Sequence, residues 1–167
     1  MSLGRVSPAT FFLVLLIYLL YTGSFTPFDV VTGCAVAAIV SLIVGRWLVR
    51  NDLKVVQVRR WAAFISYSLR YFLADEVRTH VDVAKRVFTL RSRPGIVRVP
   101  LDVRSEYGRV FVANSITNTP GTVVVDISDD GRWLYVHWID VGDDLDEERI
   151  RREVLSHFEE HARRIFD

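Results

Sequence analysis

The chain has 167 residues, 25% charged and 50% hydrophobic, proportions that exclude a disordered or coiled-coil protein and fit one small domain plus an anchor. Its formal net charge of +1 hides an asymmetry: residues 1–45 sum to zero, residues 46–104 to +8 and residues 105–167 to −7. A neutral head, a basic collar and an acidic tail exclude a one-piece soluble domain and point to a surface or a partner.

No charged residue lies between Val6 and Phe28, and Phe11 to Tyr21 is almost purely apolar. A second uncharged run, Val30 to Gly45, continues through Trp47, Leu48 and Val49 if Arg46 snorkels toward the headgroups. Each run approaches the roughly 17–25 residues that cross about 30 Å of hydrocarbon. The expectation for residues 1–56 is therefore a transmembrane helical hairpin, with helices at about 8–22 and 28–49 joined by the turn from Thr22 to Pro27. Ser7-Pro8 supplies a cap and a first-turn proline, and Pro27 starts the second helix. A cleaved signal peptide is the competing reading of the first run; Tyr21-Thr22-Gly23-Ser24 lacks a small-x-small cleavage site, and a second membrane-length run follows at once.

Gly33, Ala37, Ser41 and Gly45 recur at four-residue spacing, a small-residue stripe that lets another helix approach closely and predicts packing against something in the membrane. A chance run of small residues is the alternative. Arg46, Arg50, Lys54, Arg59 and Arg60 follow the second helix, whereas the turn has no basic residue. By the positive-inside rule the turn lies outside and the rest of the chain is cytoplasmic.

Residues 57–92 read as one long helix, amphipathic or membrane-associated. Val77, Val81, Ala84 and Phe88 line one face, and Asp75, Arg78, Asp82 and Lys85 the other. Trp61 to Leu73 is apolar enough to raise a third crossing, but that would carry Arg78 through Arg104 outside, against the charge rule. The favoured reading is a helix in the interface or against partner helices.

Residues 93–167 read as a small α/β domain after the turn Ser92-Arg93-Pro94-Gly95. Val97, Val99 and Leu101 alternate with polar positions as a half-buried strand, at an edge because Pro100 cannot donate to a ladder. From Ser105 to Ile116 the signals conflict: Val110-Phe111-Val112 favours strand, and Ser105 can cap a helix. Thr119-Pro120-Gly121-Thr122 is a turn of type II character. Val123, Val125 and Ile127 form the next strand, Asp129-Asp130-Gly131 the hairpin turn, and Leu134, Val136 and Trp138 the inward face of the partner strand. The last helix takes Asp144 as N-cap with Glu147 three residues on. Ile150, Val154, Phe158, Ala162 and Ile165 form its buried stripe, and Glu147/Arg151, Glu148/Arg152, Glu159/Arg163 and Glu160/Arg164 are i,i+4 pairs.

His157-Phe158-Glu159-Glu160-His161 matches the H-x-x-E-H zinc pattern, in which two histidines one turn apart hold the metal and a glutamate acts as base. It ends six residues before the last residue given, which leaves no room for a downstream acidic third ligand, and reads better as a solvated, ion-paired helix face. His137 reads as a structural position on the sheet, and His80 carries no assigned role. Cys34 lies in an apolar helix, and one cysteine gives neither a disulfide nor a metal framework. No phosphate loop or nucleophile elbow is present, so no catalytic, metal or cofactor site is expected. The basic collar is better matched to anionic lipid than to nucleic acid. Residues that move ions through a bilayer are intramembrane Asp, Glu, Lys or His, and the two apolar helices have none in their interiors; Asp29 sits at the edge of the second. Unless Arg70, Asp75 and Glu76 lie in the membrane, the chain is expected to support a conductor rather than be one.

The string from Asn114 to Ser128, which reads Asn-Ser-Ile-Thr-Asn-Thr-Pro-Gly-Thr-Val-Val-Val-Asp-Ile-Ser, is followed by Asp130-Gly131 and by Leu134-Tyr135-Val136-His137-Trp138-Ile139-Asp140. With the Arg93-Pro94-Gly95-Ile96 turn and the apolar hairpin before it, this resembles the E subunit of Mrp/Mnh-type multisubunit cation/proton antiporters over nearly the whole chain. Asn118 departs from the leucine usual there, which puts the packing at that point in question. Archaeal membrane-bound hydrogenases and related respiratory complexes carry a similar subunit.

The resemblance implies that the segment around Asn114–Ile116 is the helix of a cytoplasmic β-α-β-β-α domain. It implies structural roles for the motif residues: Pro120 and Gly121 build a turn, Asp126 and His137 would bond across neighbouring strands, Asn114 and Thr117 would cap or satisfy backbone, and Thr119 and Asp140 complete the string. It also implies other membrane subunits as partners and a cell-membrane location. The resulting expectation is an accessory, non-catalytic subunit of a cation (sodium)/proton antiporter, with a hydrogenase-type complex as alternative host. A stand-alone, membrane-tethered binding module is the second alternative.

Overall fold

The computed structural model describes residues 7–49, 52–142 and 146–167. The protein is mostly helical with a small three-stranded antiparallel sheet, and it divides into two compact units, one ending at Gln57 and one starting at Val58.

In the first unit, α1 (Pro8–Thr22) starts at Ser7, whose hydroxyl accepts from the Thr10 N–H, and stops at Gly23, which takes the left-handed conformation at φ 62°. After a four-residue turn, α2 (Pro27–Leu48) starts at Thr26, whose hydroxyl accepts from the Asp29 N–H. A short helix α3 (Asp52–Val55) follows. Among the described residues one helix, Pro27–Gly45, is long and apolar enough to cross a membrane; α1 is apolar but has 15 residues.

The small-residue stripe faces α1. Ala37 and Ser41 are buried, and the Ser41 hydroxyl donates to the Ser7 carbonyl at 2.8 Å. A Cβ on Gly33 would lie 2.8 Å from Cδ1 of Tyr18, and one on Gly45 would lie 3.1 Å from Cβ of Ser7. Tyr18 and Thr32 share a hydroxyl–hydroxyl bond of 3.0 Å beside Gly33. The close approach expected toward another helix of the membrane is thus made inside the chain, because the short turn brings α2 back along α1. Phe12, Leu16, Ile17, Leu20, Ile39 and Ile43 remain exposed on the outer faces.

The second unit opens with α4 (Val58–Arg70), a π turn (Tyr71–Asp75) and α5 (Glu76–Thr89), helical throughout and ended by Leu90 in the left-handed conformation. A π turn inserts one extra residue and so rotates the residues after it by about 100° relative to an unbroken α-helix. That rotation keeps Asp75, Thr79, Val83 and Arg86 on the side of Tyr67 and Tyr71, the side that meets the domain. The apolar face with Val77, Val81 and Phe88 turns away from the domain and stays exposed.

The domain runs β1 (Gly95–Pro100), α6 (Glu106–Asn118), β2 (Thr122–Ile127), β3 (Trp133–Trp138), then α7 (Glu147–Ile150), a second π turn (Arg151–Leu155) and α8 (Phe158–Phe166). The strand order is β1-β3-β2, so β1 with Pro100 is an edge, and β3 pairs antiparallel with both neighbours. Segment 105–116 is helical: the Ser105 hydroxyl accepts from the Gly108 N–H at 3.1 Å, and Gly108, Val112, Ser115 and Ile116 form the buried face. Packing overrides the local strand preference of its β-branched residues.

In β2 a bulge between Val124 and Asp126 shifts the register. Val124 and Ile127, rather than Val123 and Val125, therefore pack on the core, and the latter two are exposed. Leu134, Val136 and Trp138 point inward. The core joins them to Val97, Val99, Val112, Ile116, Leu155 and Phe158.

The C-terminal helix differs from expectation. Asp146 caps α7, accepting from the Arg149 N–H; the expected cap Asp144 lies outside the described residues. The second π turn and Ser156, at φ 48° and ψ −127°, break one helix into two. Val154, Phe158 and Ala162 are still buried. Of the four expected i,i+4 pairs, Glu160 with Arg164 forms among the described residues. The break redirects the rest: Glu159 pairs with Arg151 at 3.0 Å and accepts from the Asp102 N–H, while Arg163 reaches Asp102.

Candidate functional site

Tyr67, Tyr71 and Asp75 are spaced four residues apart, a polar ladder on the domain-facing side of the long helix. Tyr67 is the anchor. Its hydroxyl shares a 2.7 Å bond with Ser115 of α6, and its ring centroid lies 4.6 Å from that of Phe111 and 5.6 Å from that of Tyr71. Phe158 and His161 of α8 close around the same ring. On α4, the Arg60 guanidinium donates to the Ile165 carbonyl.

The histidines of the H-x-x-E-H string sit in this joint. His157, Glu159 and His161 are all buried, which corrects the expectation of a solvated face; the break at Ser156 turns them inward. His157 Nε2 lies 3.3 Å from Asp75 Oδ2, and neither atom has a well-aligned hydrogen bond. On the other side of the ring, Nδ1 meets the Ser156 hydroxyl at 3.1 Å, and His161 Nδ1 contacts the His157 carbonyl at 3.0 Å. Burial, helped by the positive charge of Arg70 and by His161, lowers His157 to about 4 and keeps it neutral near pH 7. Burial raises Asp75, against the pull of Arg70 and Arg78. Both π turns adjoin this pair, as π turns often do at functional places. Chemically the arrangement can hold a proton between a carboxylate and an imidazole inside a seam. Among the described residues no three His, Cys, Asp or Glu side chains converge as metal ligands.

The far end of the same helix is tied down by the motif string. Asp140 accepts from Arg86 and lies 3.6 Å from Arg93, and the Val141 N–H bonds the Arg93 carbonyl. The hydrogen bond from Arg86 holds the Asp140 carboxyl below its ordinary value. Asp140, Arg86 and Arg93 line an open cleft of about 560 Å³ with Lys85 and Arg91. Gly121, at φ 95°, is required: a Cβ there would lie 3.1 Å from Ile139 Cγ2 and 3.4 Å from Val83 Cγ2 of α5. Pro120 precedes it in the turn, half-buried.

Three threonines finish the end of α6, where carbonyls lack helical partners. Thr119 donates to the Ser115 carbonyl, Thr122 to the Ile116 carbonyl, and the Thr117 hydroxyl accepts from the Val124 N–H. Asn114 and Asn118 are exposed on α6. Asp126 lies opposite Tyr135 and accepts from the Ile127 N–H, whereas His137 lies opposite Val123 and Ile96. The register therefore does not bring Asp126 and His137 together. Thr119, Gly121 and Asp140 gather along the long helix, and Gly33, Ala37, Ser41 and Gly45 lie in the first unit. Sequence reasoning missed Tyr67, Tyr71 and Asp75; their four-residue spacing was the available signal.

A family model described as a Na+/H+ ion antiporter subunit, MNHE, matches residues 11–165. The E subunit of a Na(+)/H(+) antiporter from Alkalihalophilus pseudofirmus is 30% identical over 148 residues, covering 87% of this chain and 89% of that one. Among solved structures, a chain of the membrane-bound sulfane sulfur reductase, an archaeal respiratory membrane complex, superposes with a TM-score of 0.79 at 32% identity over 94% of this chain and 96% of that one. A chain of the Mrp complex from Dietzia sp. DQ12-45-1b gives a TM-score of 0.45 at 26% identity, over 64% of this chain and 99% of that one.

Proposed function

The chain belongs to the family of Na+/H+ antiporter E subunits, and from that premise we infer that it is an accessory, non-catalytic subunit supporting assembly and ion translocation in a multisubunit cation/proton antiporter. It is a membrane protein, and other membrane subunits are its partners. The observation that carries the reading is that the family match runs through both units, so the apolar helices and the domain act as one part. The apolar stretch from Val30 to Gly45 holds no Asp, Glu, Lys, Arg or His, which supports a role beside the ion path rather than in it.

In this reading residues 1–56 cross the bilayer as a hairpin with its turn outside. Residues 57–92 form a helix associated with the membrane or with partner helices, and residues 93–167 fold as a cytoplasmic domain. The charge asymmetry supports that orientation. Motif residues Asn114, Thr117, Thr119, Pro120, Gly121, Asp126, His137 and Asp140 act through shape, with the Gly121 turn and Asp140 seating the long helix. The likeness to a chain of an archaeal respiratory complex favours a second host, the antiporter-like module of such an assembly.

Deletion of the gene tests the reading. Everted membrane vesicles from the deletion strain should lose sodium-driven proton exchange and regain it when the full chain is restored. Undiminished exchange in the deletion strain overturns the accessory role.

A further inference from the structure

The domain leaves the outer face of the long helix uncovered. Because the π turn rotates α5 relative to α4, the outer positions of the two halves line up: Ile65, Leu69 and Phe72 continue into Val77, Val81 and Phe88. All six are exposed, Phe72 at 66% and Phe88 at 89%, along about 35 Å of helix at 1.5 Å per residue. An apolar stripe of this length on a folded domain marks a surface that something covers.

The charges beside it indicate what. Arg59, Arg70, Arg78 and Lys85 fall along one edge of the stripe by the same helical geometry, and all four are exposed. None makes an ion pair among the described residues. Of the nearby acids, Asp82 pairs with Arg86 and Glu76 with His80, while Asp75 faces His157 and feels Arg70 and Arg78 without forming an ion pair with either. A protein partner would need a matching acidic row along the whole edge, whereas anionic headgroups supply negative charge at every position. A long apolar face edged by basic side chains is the pattern of a helix lying in the membrane interface.

We propose that the outer face of α4 and α5 lies in the interfacial layer of an anionic bilayer, with Arg59, Arg70, Arg78 and Lys85 at headgroup level, so that the domain is held flat against the membrane by its own helix. This rests on the reading of the chain as a membrane subunit and deepens it by choosing lipid over partner helices. The domain side of the helix is then a seam through Tyr67, and the opposite side is the face that meets anionic headgroups.

The test uses the full chain in its purified complex, with Cys34→Ala as background and nitroxide labels at Phe72→Cys, Val81→Cys or Asp129→Cys. The complex is reconstituted in phosphatidylcholine nanodiscs with or without phosphatidylglycerol. Labels at 72 and 81 should relax severalfold more with oxygen than with a water-soluble nickel chelate, and the label at 129 the reverse. Removing phosphatidylglycerol, or introducing R70E, R78E and K85E together, should move the first two toward the aqueous pattern. Exclusion of both reagents from 72 and 81 would show that a partner subunit covers the face and overturns the proposal, as does preferential access of the nickel chelate. If the chain reconstitutes without other subunits, the accessory role fails, while oxygen-selective labels in that same sample still support the lipid contact.

Discussion

Truncating Tyr67 should separate the long helix from the domain, and two substitutions divide its contribution. Ser115 donates to the Phe111 carbonyl at 2.8 Å, so Tyr67 is the donor in the 2.7 Å bond to Ser115. Tyr67→Phe removes that donor and keeps the ring, at a cost of about 1 kcal/mol. Tyr67→Ala also empties a volume bounded by Phe111, Tyr71, Phe158 and His161, and removal of a buried aromatic ring costs about 3–5 kcal/mol. The assay is urea unfolding of the full chain in mild detergent, followed by tryptophan fluorescence. Leu69→Ala, on the exposed face, should stay within about 0.5 kcal/mol of the parent. The reasoning is refuted if Tyr67→Ala costs no more than Leu69→Ala, or if Tyr67→Phe costs as much as Tyr67→Ala.

Acid should weaken the same joint. Burial lowers His157 to about 4 in the fold from its ordinary value of 6.5, so between those values the unfolded chain binds a proton that the native chain does not, and stability decreases as the pH falls through that window. Asp75 is shifted upward, takes up its proton in the native state first and opposes that loss. Asp75→Asn should therefore show a larger drop in urea midpoint from pH 7 to pH 4.5 than the parent; an equal or smaller drop contradicts the opposing roles. At Ser156, held at φ 48°, Gly should be neutral or stabilising by up to about 1 kcal/mol and Val destabilising by about 1–2 kcal/mol, read as melting temperatures, and the reverse order would refute backbone strain there. Gly33→Leu should lower the thermal stability of the first unit by driving Tyr18 away from α2, whereas Ala35→Leu, at an exposed position, should not; equal melting curves would show the stripe to be incidental.

Local chemistry made much of the architecture readable. The cap at Ser7, the helix start at Pro27, the edge position of Pro100 and the inward alternation of Leu134, Val136 and Trp138 each arise from one or two residues and their neighbours, whereas Ser105 offered a cap that the β-branched residues after it contradicted. What escaped depends on insertions that periodicity cannot show. The π turn at Tyr71–Asp75, the bulge between Val124 and Asp126 and the second π turn with Ser156 each add a residue or a reversal, and each changes which side chains face inward. His157 and His161 look like a solvated face only while the helix is taken as unbroken. Asp75, which faces His157, lies 82 residues before it, beyond any local pattern. The small-residue stripe was visible as a packing surface, but the identity of its partner, α1, required the geometry of the turn.

As an accessory subunit, this chain works as one part among several in a membrane complex. Tagged full-length chain extracted from native membranes in mild detergent and analysed by mass spectrometry tests it most directly. Several multi-span subunits of antiporter or respiratory-complex type should be recovered with it in constant proportions. Monodisperse recovery of the chain alone, under conditions that keep such complexes intact, would contradict it.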